Sequence, residues 1–276
     1  MLNILRAQLF RLVRRPWFWV VLALFVVYGL ATALVARHLD PYEFLSVDRT
    51  PDPALLEIGL DTSESPILPD GRVPALFFIG ASIGRWPATV AALIAVLLVS
   101  GDFGARAIKN LPLARGGRPS YALATAVLCA GLALALTLIA LGYALLGCAL
   151  TSATIAWPSV DDIVLWELAL WLASTCYAVV CASLTMLSGS RALGIAAVVL
   201  VPSGIVEVVL VLGAALLPMT SEASIDVLFS FTPFDAMSTL RLGSVPGSHG
   251  LLACAGVLAV GVALGVLAMR HKDLGR

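Results

Sequence analysis

Three long apolar runs, Trp17–Val35, Ala122–Leu146 and Leu193–Leu217, constrain this chain more than any other feature. Each exceeds the ~18 apolar residues that mark a membrane helix, and a soluble core of this size has no room for several of them. Composition agrees. Of 276 residues, 60% are hydrophobic and only 12% charged, against about 25% charged in an average soluble domain. So few charges cannot coat a water-facing sphere, and a mean hydropathy of +1.00 excludes disorder. The expected class is an all-α integral membrane protein, with residues 1–276 forming a single transmembrane domain.

Charge placement sets the expected topology. Basic and acidic residues cancel at seventeen each, yet they alternate by segment. The start carries Arg6, Arg11, Arg14 and Arg15 without an acid, whereas Arg37–Pro74 carries eight acids against three arginines. Gly101–Ser120 is basic again, Asp161 and Asp162 follow without a base, Ser188–Arg191 is basic, Pro218–Gly247 is net acidic, and Arg270–Arg276 is basic. The positive-inside rule turns this alternation into six spans with both termini cytoplasmic. The spans are placed at Trp17–Val35, Ala75–Ser100, Tyr121–Leu146, Ile163–Leu187, Ala192–Leu217 and Gly250–Met269. Arg85 and Pro87 interrupt the second. Its crossing then shortens to Pro87–Ser100, entered from an outer-leaflet helix at Leu76–Gly84. The basic start followed by a full-length span predicts a retained first helix and not a cleaved signal peptide.

Much chemistry is missing from the sequence. Lysine occurs only at Lys109 and Lys272, neither in a G-K-[ST] triplet, so the chain carries no P-loop of its own. The five cysteines form no C-x-x-C pair and none stands at ligand spacing to a histidine. No metal, cofactor or nucleic-acid site is expected. Gly80-Ala81-Ser82-Ile83-Gly84 matches the G-x-S-x-G pattern of a nucleophile elbow. That elbow needs a strand-turn-helix setting, and a Gly80/Gly84 small-residue packing step competes with it, like Gly261/Gly265 in the last span.

Two segments at the basic end are more informative. In residues 1–16, helical spacing puts Leu2, Leu5, Leu9, Leu12 and Val13 on one face and Asn3, Gln8, Arg11, Arg14 and Arg15 opposite. This predicts an amphipathic helix lying in the membrane surface, with Pro16 turning the chain into the bilayer. The second segment, residues 101–120, runs Gly101-Asp102-Phe103-Gly104-Ala105-Arg106-Ala107-Ile108-Lys109-Asn110-Leu111 and on to Arg118-Pro119-Ser120-Tyr121.

An acid closing the second span, a glycine, Ile-Lys-Asn-Leu and an Arg-x-x-Tyr opening the third span resemble the permease subunit of ABC-2-type ATP-binding-cassette transporters. The likeness is to the small permeases of lantibiotic-immunity and multidrug or peptide exporters. It covers the whole chain in layout, but only about twenty residues carry a motif. Members often have threonine or tyrosine where Arg106 or Ala107 stands, and lysine where Ala124 stands. The resemblance implies a coupling helix that docks on a separate ATPase subunit. Asp102 would be its N-cap, Phe103, Ala107 and Leu111 would share one face, and Arg106, Lys109 and Asn110 would supply polar contacts. It also implies ATP and Mg on that partner, a second permease chain (identical or related), and a bacterial cytoplasmic membrane. The cargo would be a hydrophobic or amphipathic peptide, drug or lipid. The alternative is a stand-alone intramembrane enzyme of serine-hydrolase type or a membrane scaffold.

Two further expectations concern the opposite side. Residues 36–74 form an acidic outer loop, and residues 218–247 are too short in each apolar piece to cross, which suits a re-entrant or interfacial helix pair. Glu207 lies inside the fifth apolar run, where a carboxylate costs ~2–3 kcal/mol or more, so it should face protein or a wet cavity and is a candidate for the translocation path.

Overall fold

The computed structural model describes residues 2–38, 72–104, 119–151, 154–206, 209, 213 and 230–271. The coupling candidates Arg106, Ala107, Lys109, Asn110 and Leu111, the path candidate Glu207 and nearly all of the first outer loop lie outside these residues. The elements in chain order are α1 (Leu2–Val13), α2 (Pro16–His38), β1 (Val73–Pro74), α3 (Ala75–Ile83), α4 (Trp86–Gly104), α5 (Pro119–Leu150), β2 (Ile155–Ala156), α6 (Val160–Ser188), α7 (Arg191–Leu200), α8 (Pro233–Arg241) and α9 (Ser248–His271).

The protein is a membrane-embedded, all-helical chain that passes the bilayer several times. Among the described residues five helical stretches are long and apolar enough to cross: Pro16–Val35, Ala75–Gly104, Pro119–Leu150, Val160–Ser188 and Ser248–Arg270. Four follow the expected first, third, fourth and sixth spans to within a few residues. The second is divided as its arginine and proline foretell. Gly84 ends α3 at φ 55, a left-handed conformation open to glycine, and α4 starts again at Trp86 with Pro87 in its first turn. At ~1.5 Å per residue, the 19 residues of α4 reach about 28 Å, close to one hydrocarbon core.

The fifth span departs from expectation. A single helix over Ala192–Leu217 is not what forms: α7 stops at Leu200, and residues 201–204 make a turn before helical residues resume at Ile205. Pro202 has no N–H to give the helix ladder, and its ring crowds the carbonyl four residues back. Gly204 completes the turn at φ 80.

Helix α6 is the axis of the bundle, touching α4, α5, α7, α8 and α9. Close approach comes from small residues, as membrane packing requires where hydrophobicity itself drives nothing. Side chains at Gly261 or Gly265 of α9 would press on Val179, Val180 and Ser183 of α6. On the other flank, α2 meets α5 where Gly29 admits the Tyr143 ring and Gly147 faces Ala33. The Gly80/Gly84 pair does not form the expected packing step. Gly80 does pack, its bare Cα facing the Leu240 and Arg241 carbonyls of α8, but Gly84 is the turn residue.

Two cross-links steady α6. Trp171 Nε1 donates to the Ala130 carbonyl of α5 at 2.9 Å, and Trp166 Nε1 donates to the Leu240 carbonyl at the end of α8 at 3.0 Å. The short parallel pairing of Val73 with Ile155 and Pro74 with Ala156 joins the entrances of α3 and α6. Both helices therefore enter from the same side, opposite the basic end that carries α1. All five cysteines are buried and unpaired by disulfides, as expected of packing residues.

Candidate functional site

The basic end is organised around one carboxylate. Asp102 lies in the last turn of α4 with its side chain 0% exposed. Arg11 Nη1 of α1 donates to its Oδ1 at 2.9 Å, and Arg15 Nη2, from the corner between α1 and α2, stands 3.8 Å from the same oxygen. Tyr121 OH, at the start of α5, donates to Oδ2 at 3.0 Å. A second bond runs parallel. Gln8 Nε2 donates to Thr125 Oγ1 at 2.8 Å, and Thr125 Oγ1 donates to the Tyr121 carbonyl at 2.9 Å. Charge-assisted bonds of this kind are short and directional, so the surface helix, the end of α4 and the start of α5 are held as one unit.

This changes the reading of three residues. Asp102 does not stand outside a new helix as its N-cap; it is inside α4, and its carboxylate goes to Arg11 and Tyr121. Gln8, placed by periodicity on the polar face of α1, is buried with Ile4 and Leu12 against α5. Leu2, Leu9 and Val13 are exposed, which suits a helix with one face on protein and an apolar edge for lipid. Phe103 is half-buried and packs on the core beside Asp102. Of the expected coupling residues, the structure therefore places Asp102 and Phe103 together at the last described turn before residues 105–118.

A second polar node sits at the break in the fifth span. Arg85, between α3 and α4, donates through Nη1 to the Ser203 carbonyl at 2.8 Å and the Pro202 carbonyl at 3.5 Å. Its Nη2 donates to Ser238 Oγ of α8 at 3.2 Å, and its guanidinium stacks 4.0 Å from the Phe234 ring centroid. A broken helix leaves carbonyls without partners at the negative end of its dipole, and a planar fork of donors is suited to satisfy them. The residue that interrupts one span thus stabilises the interruption of another.

Glu167, about two turns inside α6, is not among the candidates that the sequence offers. It is 8% exposed, and neither carboxylate oxygen has a hydrogen-bond partner among the described residues. Thr137 of α5 lies beside it, but the Thr137 hydroxyl donates to the Leu134 carbonyl at 3.2 Å. The signal available in the sequence is its place inside the expected fourth span, Ile163–Leu187.

Ser82 of the G-x-S-x-G match is buried within α3, donating to the Phe78 carbonyl at 2.7 Å. It occupies no strand-to-helix elbow. No cluster of three or more potential metal ligands exists among the described residues. Compared with protein-family models and with curated proteins, the chain matches none.

Proposed function

We propose that this chain is the membrane-spanning permease subunit of an ATP-binding-cassette exporter of the ABC-2 type. It has six spans with both termini in the cytoplasm of a bacterial cell and works with a separate ATPase and a second permease chain. One observation supports this reading above the others: the lock of Arg11, Asp102 and Tyr121 at the ends of α4 and α5. Residues 105–118 connect those two ends. A segment that receives force from a partner must be rooted in elements that move as a body, and here both roots are tied to each other and to the surface helix. ATP-driven closure of the partner would push on residues 105–118 and tilt α4 and α5 together, carrying α1 with them.

Within this reading Asp102 is a positioning residue, while Phe103, Arg106, Ala107, Lys109, Asn110 and Leu111 face the ATPase. Glu207, three positions past Gly204, belongs to the route for a hydrophobic or amphipathic cargo. The break at Pro202 and Gly204 supports that role, because interrupted helices are tolerated at membrane depth chiefly where they meet protein or a wet cavity. The alternative of a serine hydrolase draws no support from Ser82, whose hydroxyl is spent on its own helix.

The test is co-expression with the neighbouring genes, among which this reading expects an ATP-binding-cassette ATPase. A stable complex should form, with hydrolysis that depends on the permease. Phe103→Asp should release the ATPase, since an unpartnered carboxylate in a buried contact costs several kcal/mol. A fully coupled complex with that substitution, or no complex for the wild-type chain, rejects the reading.

A further inference from the structure

At the basic end a cavity of about 670 Å³ opens between the corner of α1 and α2, the end of α4 and the turn from α6 to α7. Arg15, Trp17, Leu97, Ser100, Phe103 and Arg191 line it. Its volume falls in the ~300–1,000 Å³ range of small-molecule sites. The lining is of two kinds: guanidinium groups from two separate elements, and aromatic and aliphatic side chains.

The charges of this rim are only partly balanced among the described residues. Among the described residues its ion pairs both go to Asp102, which holds Arg11 at 2.9 Å and Arg15 at 3.8 Å. Arg191 is not part of that set. It is also the first residue of α7, whose first turn contains no acid. A helix N-terminus is the positive end of its dipole, so a cation there is electrostatically misplaced unless an anion shares the position. The Arg15 guanidinium lies across Gly101, where any side chain would collide with it. Gly101 thus leaves the room that lets Arg15 reach the cavity wall while still near Asp102.

We propose that this cavity binds the headgroup of an anionic phospholipid. Arg15 and Arg191 grip the phosphodiester from two sides, and Trp17, Leu97 and Phe103 pack on the glycerol and the first acyl carbons. Guanidinium forks match phosphate oxygens, and basic pockets between membrane helices are the known setting for such headgroups. The apolar wall distinguishes a lipid from free phosphate, which would leave Trp17, Leu97 and Phe103 unused. The site shares Phe103 with the exporter reading but does not rest on it, and it is tested on the purified chain alone.

The experiment is native mass spectrometry of the detergent-solubilised protein titrated with phosphatidylglycerol or phosphatidylcholine. The wild-type chain should retain phosphatidylglycerol selectively. Arg191→Gln, at an exposed position, should lower that occupancy about fivefold, the worth of one interfacial arginine. Arg15→Gln should do the same; if it proves unstable, Arg191→Gln carries the test. Arg14→Gln removes an equal charge from the same rim, but its guanidinium sits over the Phe10 ring at 4.2 Å, and occupancy should stay unchanged. Equal losses with Arg14→Gln and Arg191→Gln, or no loss with Arg191→Gln, would overturn the site. Displacement of the lipid by millimolar inorganic phosphate would overturn the lipid as its ligand.

Discussion

Arg11 and Asp102, 91 positions apart, meet at 2.9 Å, and the burial of the two partners is unequal: the aspartate side chain is 0% exposed and the arginine 34%. The pair is therefore asymmetric in what each member loses when the other is removed. Deleting the arginine leaves a buried carboxylate with Tyr121 and a loosely placed Arg15. Deleting the aspartate leaves an arginine that already meets solvent.

Arg11→Leu should accordingly cost ~2 kcal/mol of stability, below the ~3–5 kcal/mol of a fully buried pair because water screens part of the arginine. Asp102→Asn should cost ~1 kcal/mol, since the amide oxygen still accepts from Tyr121. Unfolding in detergent measures both, and the double substitution should cost less than the sum. Strict additivity would mean the pair is not coupled.

The second node makes a prediction about shape. Arg85→Lys keeps the charge but loses the fork that reaches Ser203 and Ser238 at once, so it should not rescue what Arg85→Met loses. Gly204→Ala should destabilise the same region, by ~1–3 kcal/mol, because its φ of 80 disfavours a side chain and the new Cβ would collide with the Phe234 ring. Hydrogen exchange should rise over residues 200–206 and 233–241 in all three variants. Unchanged exchange there would show that Arg85 does not hold the break.

What was legible in the sequence was local. Apolar length gave the long helices, and the adjacent Arg85 and Pro87 gave the division of the second span, because each signal lies within the element it shapes. From the sequence Asp102 reads as a cap because its partners come from α1 and α5, and no window around residue 102 contains them. Gln8 reads as part of the polar face of α1 for the same reason: its partner Thr125 is 117 positions away. The expected fifth span runs through Pro202 and Gly204 because hydropathy stays high on both sides. The donors that satisfy the broken end sit on Arg85, at the junction of α3 and α4.

Topology can be checked independently of partners. In intact cells, single cysteines at positions 45–70 and 222–245 should react with an impermeant thiol reagent, while those at 105–118 and 188–191 should not. Labelling at 105–118 from outside would reverse the orientation and remove the ATPase-facing role of that segment.

Glu167 is the acid on which stability and function should pull apart. Its carboxylate is buried about two turns inside α6, with both oxygens unpartnered among the described residues and the Thr137 hydroxyl beside it donating to the Leu134 carbonyl. Leaving a buried polar group unsatisfied costs ~1–3 kcal/mol, whereas an apolar side chain of similar length and volume has no such debt. Glu167→Met should therefore raise the unfolding free energy by about that amount, ~1–3 kcal/mol, or at least not lower it. Glu167→Gln, which keeps the shape and still buries polar atoms, should gain less. An intramembrane acid that weakens its own protein is the kind retained for a task, so transport measured with the assembled exporter should fall in the methionine variant even as its melting temperature rises. If Glu167→Met loses stability instead, the carboxylate has a structural partner and serves packing. If it gains stability and transports normally, the acid has no part in the route, and the search for polar path residues moves to the break beside Arg85.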